Sequence, residues 1–383
     1  MNNADLKTLI HKQKPNFSLD QEFYINQDIF DLDIKNIFSK QWVFVGHISR
    51  IPNHGDYFLF NIGKESIIIV RDKDNSVHAH YNVCRHRGSK ICLENEGNSK
   101  ALICPYHAWT YNLDGSLKGA RLMGKDFNKK DWHLHKCNSK IFEGLIFINL
   151  SDSSNDFEEF ISPTKKFIEF HGLSDAKIAH RQYYPTNGNW KLTLDNFHEC
   201  YHCQPSHPEY CQVHDKDYIV AYGAGSNTGP ASEKFDNILT EWNKKVEKMG
   251  HLTGEYYETE FNDYSRSAER TPLKEGMFTE TKSGKPISKL MGKFKDYDSG
   301  YTSVGTSPFN SLLMCNDFAT LFTFIPVSPL YTQVELMWLV HKDAEEGRDY
   351  NLEDMKWMWD VTTIADKRII ENNQKGVLSD KYV

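Results

Sequence analysis

The sequence predicts an α+β protein, with an all-β module over residues 38–155 followed by a mixed helical and stranded part over 156–383. Three observations carry this. From Phe38 to Leu150, short apolar segments (Tyr57 to Ile62, Ser66 to Arg71, Val77 to Val83) are punctuated by Gly63-Lys64 and Asp72 to Asn75, the pattern of strands joined by turns. Ser151 to Asp156 shifts to Ser, Asp and Asn, which suits a linker and places a boundary near residue 155. Beyond it the patterns mix. Phe157 to Phe170 and Trp190 to His202 have helical spacing, Phe318 to Ile325 and Gln333 to His341 alternate as strands do, and Leu352 to Gln374 predicts a long helix closed by Gly376.

Residues 1–37 are expected to pack with the second part as an N-terminal segment. The stretch from Gly223 to Gly300 is polar and loop-like, except that Phe235, Ile238, Leu239, Trp242, Val246 and Met249 recur on one helical face that Gly250 terminates. A lid, a subunit contact and a surface loop all remain open for it.

Charge and hydropathy exclude several classes. With 45 Lys+Arg against 52 Asp+Glu the net charge is −7, which argues against a polyanion-binding protein. The longest apolar runs, Ile67 to Val70 and Leu145 to Ile148, fall far short of the roughly 18 residues of a membrane span. Met1 to Leu6 lacks the order of an export signal, so the expected compartment is the cytoplasm. There the eight cysteines are expected to stay reduced, without a disulfide framework. Cys92, Cys137, Cys200, Cys203, Cys211 and Cys315 read as small apolar core residues.

Two clusters carry chemistry. In the β module, Cys84-Arg85-His86 and Cys104-Pro105-Tyr106-His107 each offer one thiolate and one imidazole on a tight loop. Such a set fits either a tetrahedral zinc or a two-iron, two-sulfide cluster with cysteines on one iron and histidines on the other. Ligand pairs that follow strands and are trailed by Arg87-Gly88 and Ala108-Trp109 favour the cluster.

In the second part, Glu199-Cys200-Tyr201-His202 precedes Cys203-Gln204-Pro205-Ser206-His207. Residues three apart share a helical face, so Glu199 and His202 are expected to point the same way, while Pro205 breaks the helix and frees His207 to reach the same metal. Two histidines and a carboxylate with open positions form the ligand set of non-haem iron(II) oxygenases. For the third ligand the C-terminal helix offers Asp360 and Asp366. At about 100° per residue, Leu352, Met355, Met358, Trp359, Thr362, Ala365 and Ile369 define one stripe; Asp366 falls roughly 40° from its centre and Asp360 nearly opposite. A carboxylate on a buried stripe needs a positive partner, and a metal serves, so Asp366 is the expected ligand. Ser206-His207 does not read as a hydrolytic pair once the histidine is given to iron.

The run Asn82-Val83-Cys84-Arg85-His86-Arg87-Gly88, with Cys104-Pro105-Tyr106-His107-Ala108-Trp109-Thr110-Tyr111, closely resembles the Rieske motif of the oxygenase (α) subunits of Rieske non-haem iron oxygenases. Asn189 to Phe197 is similar to the segment that opens that family's catalytic domain, and Asp366 through Glu371, Gln374 and Gly376 to its third-ligand segment. Ala108 departs from the family's usual Gly.

The resemblance implies a Rieske [2Fe-2S] domain followed by a helix-grip (START-like) catalytic domain. It implies Cys84, His86, Cys104 and His107 on the cluster, and His202, His207 and Asp366 on a mononuclear Fe(II). Glu199 becomes the catalytic acidic residue that links a Rieske histidine to an iron-bound one. It further implies a ring-shaped homotrimer with electron transfer between neighbours, dioxygen as co-substrate, and a separate NAD(P)H-dependent flavin/iron-sulfur reductase, since the chain has no G-x-G-x-x-G signature of its own.

Glu199 to Cys203 followed by His207-Pro208-Glu209-Tyr210 looks most like members acting on quaternary ammonium compounds such as glycine betaine, carnitine, choline or stachydrine. The implied reaction is hydroxylation beside nitrogen with loss of an aldehyde, or C–N cleavage. The alternatives are an aromatic ring-hydroxylating or demethylating Rieske oxygenase and, in another class, a Rieske electron-transfer protein, which has no need of a second iron site. An aromatic fraction of 13% allows a cation–π cage, although Tyr201 and Tyr210 read more simply as packing around the ligands.

Overall fold

The computed structural model describes residues 3–15, 17–124, 126–223, 229–258 and 266–382. Its contacts divide into two compact units, Phe38–Asn155 and Met1–Ile37 with Asp156–Val383.

The first unit is built of β1 (Val43–His47), β2 (Asp56–Ile62), β3 (Glu65–Arg71), β4 (Val77–Tyr81), β5 (Glu96–Asn98), β6 (Leu102–Ile103), β7 (Thr110–Tyr111), β8 (Leu117–Gly119), β9 (Asn138–Phe142) and β10 (Leu145–Asn149). They form sheets in the orders β4-β3-β2-β5, β1-β10-β9 and β6-β7-β8. The β-branched run Ile67 to Val70 in β3 is fully buried, as suits a central strand covered on both faces. Trp109 and Tyr111 are buried beneath the loops that carry the Cys-His pairs.

In the second unit, α1 (Asn3–Lys12), α2 (Glu22–Ile25) and α3 (Gln27–Asn36) come from the N-terminus. They are followed by α4 (Phe157–His171), β11 (Ala176–Thr186), α5 (Trp190–His198), α6 (Cys203–Ser206), α7 (Pro208–Val213), α8 (Lys216–Tyr218) and α9 (Pro230–Lys248). The chain then runs through β12 (Gly254–Tyr257), β13 (Ser267–Pro272), β14 (Gly300–Gly305), β15 (Asn310–Met314), β16 (Phe318–Ser328), β17 (Tyr331–His341) and α10 (Leu352–Val377). The strands make one antiparallel sheet ordered β11-β17-β16-β15-β14-β13-β12, and α10 packs against it. On β11, Tyr184 Oη and Gln182 Nε2 donate to Asp360 of α10 at 2.6 and 3.2 Å. Asn189 ties three segments together. Its side chain caps α5, its N–H donates to Gln374 Oε1 of α10 at 2.8 Å, and its Nδ2 donates to the carbonyls of Tyr24 and Pro329. Asp33 of α3 accepts from Trp190 Nε1 and pairs with Lys191.

Four local expectations are corrected. The α5 helix ends at His198 rather than His202, because Glu199 turns to extended geometry and its carboxylate accepts the Tyr201 N–H. The α10 helix runs through Gly376 to Val377, since burying Val377 against Tyr24, Leu192 and Ile370 outweighs the glycine penalty of about 1 kcal/mol. Cys200 and Cys203 are joined in a disulfide, contrary to the expectation of reduced core cysteines; the turn between α5 and α6 brings their Cα atoms within 4.8 Å. The 223–300 stretch holds, besides α9, two strands at the edge of the sheet, β12 and β13. In α9 Phe235, Trp242 and Val246 are buried, whereas Ile238 is exposed. Residues 224–228 and 259–265 of that stretch lie outside the described residues. Among the described residues, no helix is long and apolar enough to cross a membrane.

Candidate functional site

The two Cys-His loops have the same local geometry. Gly88 N–H donates to Cys84 O at 2.9 Å and Ala108 N–H to Cys104 O at 3.0 Å; both closing residues are left-handed, with φ of 74° and 58°. Gly88 adopts this at no steric penalty, while Ala108 holds it against roughly 1 kcal/mol or more. The two thiols are buried and the two imidazoles are partly exposed, their ring centroids 4.6 Å apart in an edge arrangement. Trp109 stacks on His86 at 4.8 Å. Tyr111 Oη accepts the Arg85 N–H at 3.1 Å and lies within hydrogen-bond reach of Cys84 Sγ at 3.4 Å.

Burial pushes the Cys84 thiol above its ordinary pKa, so a thiolate there needs bound positive charge. His86 Nδ1 is buried with no hydrogen-bond partner among the described residues. Two buried thiols and an unsatisfied ring nitrogen fit an iron–sulfur cluster.

In the second unit His202, His207 and Asp366 converge, with one ligand atom of each within 4.8 Å of the others. Asp366 Oδ1 lies 3.2 Å from His202 Nε2 and 2.9 Å from His207 Nε2. His202 sits at the start of α6 and His207 in the break between α6 and α7, where Pro208 opens the next helix; Asp366 projects from the middle of α10. Burial opposes ionisation of Asp366, but the two imidazoles outweigh it and hold the carboxyl below the usual range. The Asp366 hydrogen bond in turn raises His202. Two imidazoles and one carboxylate aimed at one point fit a mononuclear iron with open coordination positions.

Neighbouring carboxylates face the two imidazoles from the other side. Glu199 Oε1 lies 2.8 Å from His202 Nδ1, the ring nitrogen turned away from Asp366. The contact arises from a turn, not from a shared helical face. Glu209 Oε1 lies 3.4 Å from His207 Nδ1 and accepts the Thr362 hydroxyl at 2.9 Å. Asp360, the rejected alternative, faces β11.

A cavity of about 510 Å³ opens on the triad. Besides His202, His207 and Asp366, Tyr210, Tyr218, Glu269, Tyr301 and Trp359 line it. Tyr201, by contrast, is 82% exposed and does not line it. Sequence reasoning did not single out Tyr218, Glu269 or Tyr301, which fall in or beside the stretch read as loop; the charged pair Glu269-Arg270 breaks the apolar pattern that would have marked β13 as a strand.

A Rieske-type module, together with a sheet that grips a helix whose carboxylate meets two histidines from the α6–α7 segment, defines a Rieske non-haem iron oxygenase. Comparison with known proteins agrees. Residues 41–134 match the Rieske [2Fe-2S] domain, and residues 173–383 the ring hydroxylating alpha subunit (catalytic domain). The glycine betaine monooxygenase oxygenase subunit of Pseudomonas aeruginosa is 36% identical over 98% of this chain and 85% of its own length. The carnitine monooxygenase oxygenase subunit of Escherichia coli is 36% identical over 51% of this chain and 53% of its own. Among solved structures, a quaternary ammonium Rieske monooxygenase bound to an inhibitor shares the fold at TM-score 0.70 and 23% identity, covering 95% of this chain and 86% of that one. Naphthalene 1,2-dioxygenase from Rhodococcus sp. does so at TM-score 0.68 and 21% identity, covering 98% and 86%. The chain therefore belongs to the ring-hydroxylating alpha subunit family of Rieske oxygenases, and it is an oxygenase with a Rieske domain and a mononuclear iron domain.

Proposed function

We propose that the protein is the terminal oxygenase of a multicomponent system that oxidises a small quaternary ammonium compound at a carbon attached to nitrogen. The observation that carries this is the convergence of His202, His207 and Asp366 on one point at the wall of an aromatic-lined cavity, in a chain 36% identical over 98% of its length to a glycine betaine monooxygenase subunit. Domain limits of 38–155 for the Rieske part and 156–383 for the catalytic part, with 1–37 packed on the latter, accompany this reading.

Cys84, Cys104, His86 and His107 hold the cluster, and His202, His207 and Asp366 the iron. When bound, the cluster would supply single electrons and the iron would supply activation of dioxygen. The chain's own residues do the positioning. Glu199 keeps the proton of His202 on Nδ1 and Glu209 faces the corresponding nitrogen of His207, an arrangement in which both rings would offer Nε2 to a bound iron. Tyr210, Trp359 and Tyr301 give the cavity an apolar, π-faced wall that accepts an N-methyl cation and limits water.

For an N-methyl substrate, one atom of dioxygen enters a C–H bond of the methyl group, and the other leaves as water with two electrons and two protons. The N-hydroxymethyl product releases formaldehyde and a proton and leaves the tertiary amine. The electrons come from a separate NAD(P)H-dependent flavin/iron-sulfur reductase, and the working form is a cytoplasmic homotrimer with transfer between subunits.

The test is steady-state turnover with a reductase and a panel of glycine betaine, carnitine, choline and aromatic acids. Formaldehyde or another aldehyde released from a quaternary amine in proportion to oxygen consumed is the expected result. Oxygen consumption coupled only to an aromatic compound overturns the reading.

A further inference from the structure

The charge of the cavity wall carries the substrate class one step further. β12 and β13 pair with Glu255 directly opposite Glu269, and both carboxylates line the cavity. Like charges directly across a ladder destabilise it. Glu269 is nevertheless fixed in place, accepting from Tyr218 Oη at 2.7 Å and from Tyr257 Oη at 2.6 Å. Phenolic donors satisfy a carboxylate without neutralising it.

No lysine or arginine stands among the described residues lining the cavity. Arg270, next to Glu269 in β13, pairs with Asp298 in the core instead. Of the other lining carboxylates, Asp366 faces the two metal-site imidazoles and Glu199 bonds His202. Glu255 and Glu269 therefore add negative charge to the lining, with no lysine or arginine among the described lining residues to receive an anionic end of a substrate, and the rings of Tyr218 and Tyr301 line the same cavity.

Resting on the quaternary ammonium reading above, we propose that this oxygenase prefers a substrate with net positive charge, a quaternary amine that bears no carboxylate, and that Glu269 sets the preference. A zwitterion such as glycine betaine brings its carboxylate toward Glu255 and Glu269 with no lysine or arginine among the described lining residues to offset the repulsion. A cation of the same size, with a hydroxyl or alkyl end, meets attraction from the carboxylates and from the aromatic faces.

The experiment compares choline with glycine betaine, which match in size and differ in charge, using the reconstituted full-length oxygenase with a reductase and reading aldehyde and amine products. Wild-type protein is expected to favour choline in kcat/KM by on the order of tenfold or more. In Glu269→Gln the KM for choline rises by a similar factor, kcat changes little, and glycine betaine is unaffected or improved. Tyr257→Phe, which removes one of the two phenols fixing Glu269, moves the ratio in the same direction and serves if Glu269→Gln does not fold.

A wild-type preference for glycine betaine overturns the inference while leaving the quaternary ammonium reading intact. An equal effect of Glu269→Gln on both substrates overturns the role of Glu269. No product from either amine, with product from an aromatic acid, overturns both readings together.

Discussion

Replacing Asp298 by Asn should destabilise the catalytic unit by about 3–5 kcal/mol, a large part of the 5–15 kcal/mol that typically holds a domain folded. Asp298 and Arg270 are both fully buried, with Arg270 Nη2 2.9 and 3.0 Å from the two carboxylate oxygens. The same carboxylate bonds His251 Nδ1 at 2.8 Å, Asn316 Nδ2 at 3.0 Å and the Gly300 N–H at 2.9 Å. Asn preserves an acceptor for some of these but leaves the guanidinium without a counter-charge in a site from which water is excluded; that unpaired charge is the main term. Gly300 accommodates the arrangement, because a Cβ there would collide with the Arg270 guanidinium and Trp242.

Burial opposes ionisation of Asp298, yet Arg270, His251 and Asn316 outweigh it and hold the carboxyl below its ordinary pKa. The stability it contributes is thus present above the unfolded value of about 3.9 and is lost only as pH falls through the lower folded value. Urea denaturation at pH 7, followed by far-UV circular dichroism and by tryptophan fluorescence, to which Trp242 beside Arg270 contributes, measures the effect. Arg270→Met combined with Asp298→Leu should recover most of the loss. A cost below about 1 kcal/mol for Asp298→Asn, or a double variant whose cost is the sum of the singles, refutes the reasoning.

Further outcomes follow from the same geometry. Asp366→Ala should abolish mononuclear iron binding and oxygenation while leaving the Rieske electron paramagnetic resonance signal intact; iron stoichiometry and the spectrum check this, and retained catalysis contradicts it. Burial pushes the His171 imidazole from 6.5 down to about 3. The unfolded chain therefore binds the extra proton first, and the stability present above about pH 6.5 falls by about 2 kcal/mol between pH 7 and pH 5, a loss that His171→Gln should remove from urea midpoints across that range. Tyr111→Phe removes the hydroxyl 3.4 Å from Cys84 Sγ and should lower the cluster's reduction potential, since hydrogen bonds to sulfur favour the reduced, more negative state; potentiometry that finds no shift or a rise contradicts it.

Much of the fold was legible because its periodicities are strong. The alternating run of β17 and the apolar stripe of α10 locate the sheet and the helix it grips, and the same stripe separates Asp366 from Asp360, which the structure places against Tyr184. The metal-ligand candidates were legible because their types and spacing are rare. What sequence missed depends on tertiary context. A turn and a disulfide, not a helical face, bring Glu199 to His202, and β13 hides its strand character behind two charged residues, one turned to the core and one to the cavity. Neither the Glu255–Glu269 pairing nor the phenols that fix Glu269 can be read before the register is known.

The central claim, that one chain uses two iron sites to oxygenate a quaternary amine, is tested most directly by a single turnover. Chemically reduced protein is exposed to dioxygen with a mixed panel of quaternary amines and aromatic acids, and products are read by mass spectrometry. The account predicts a demethylated or cleaved amine with its aldehyde, up to one per mononuclear site, and none from the His202→Ala protein. Product from an aromatic acid alone, or no product from protein shown to hold both iron centres, would contradict it.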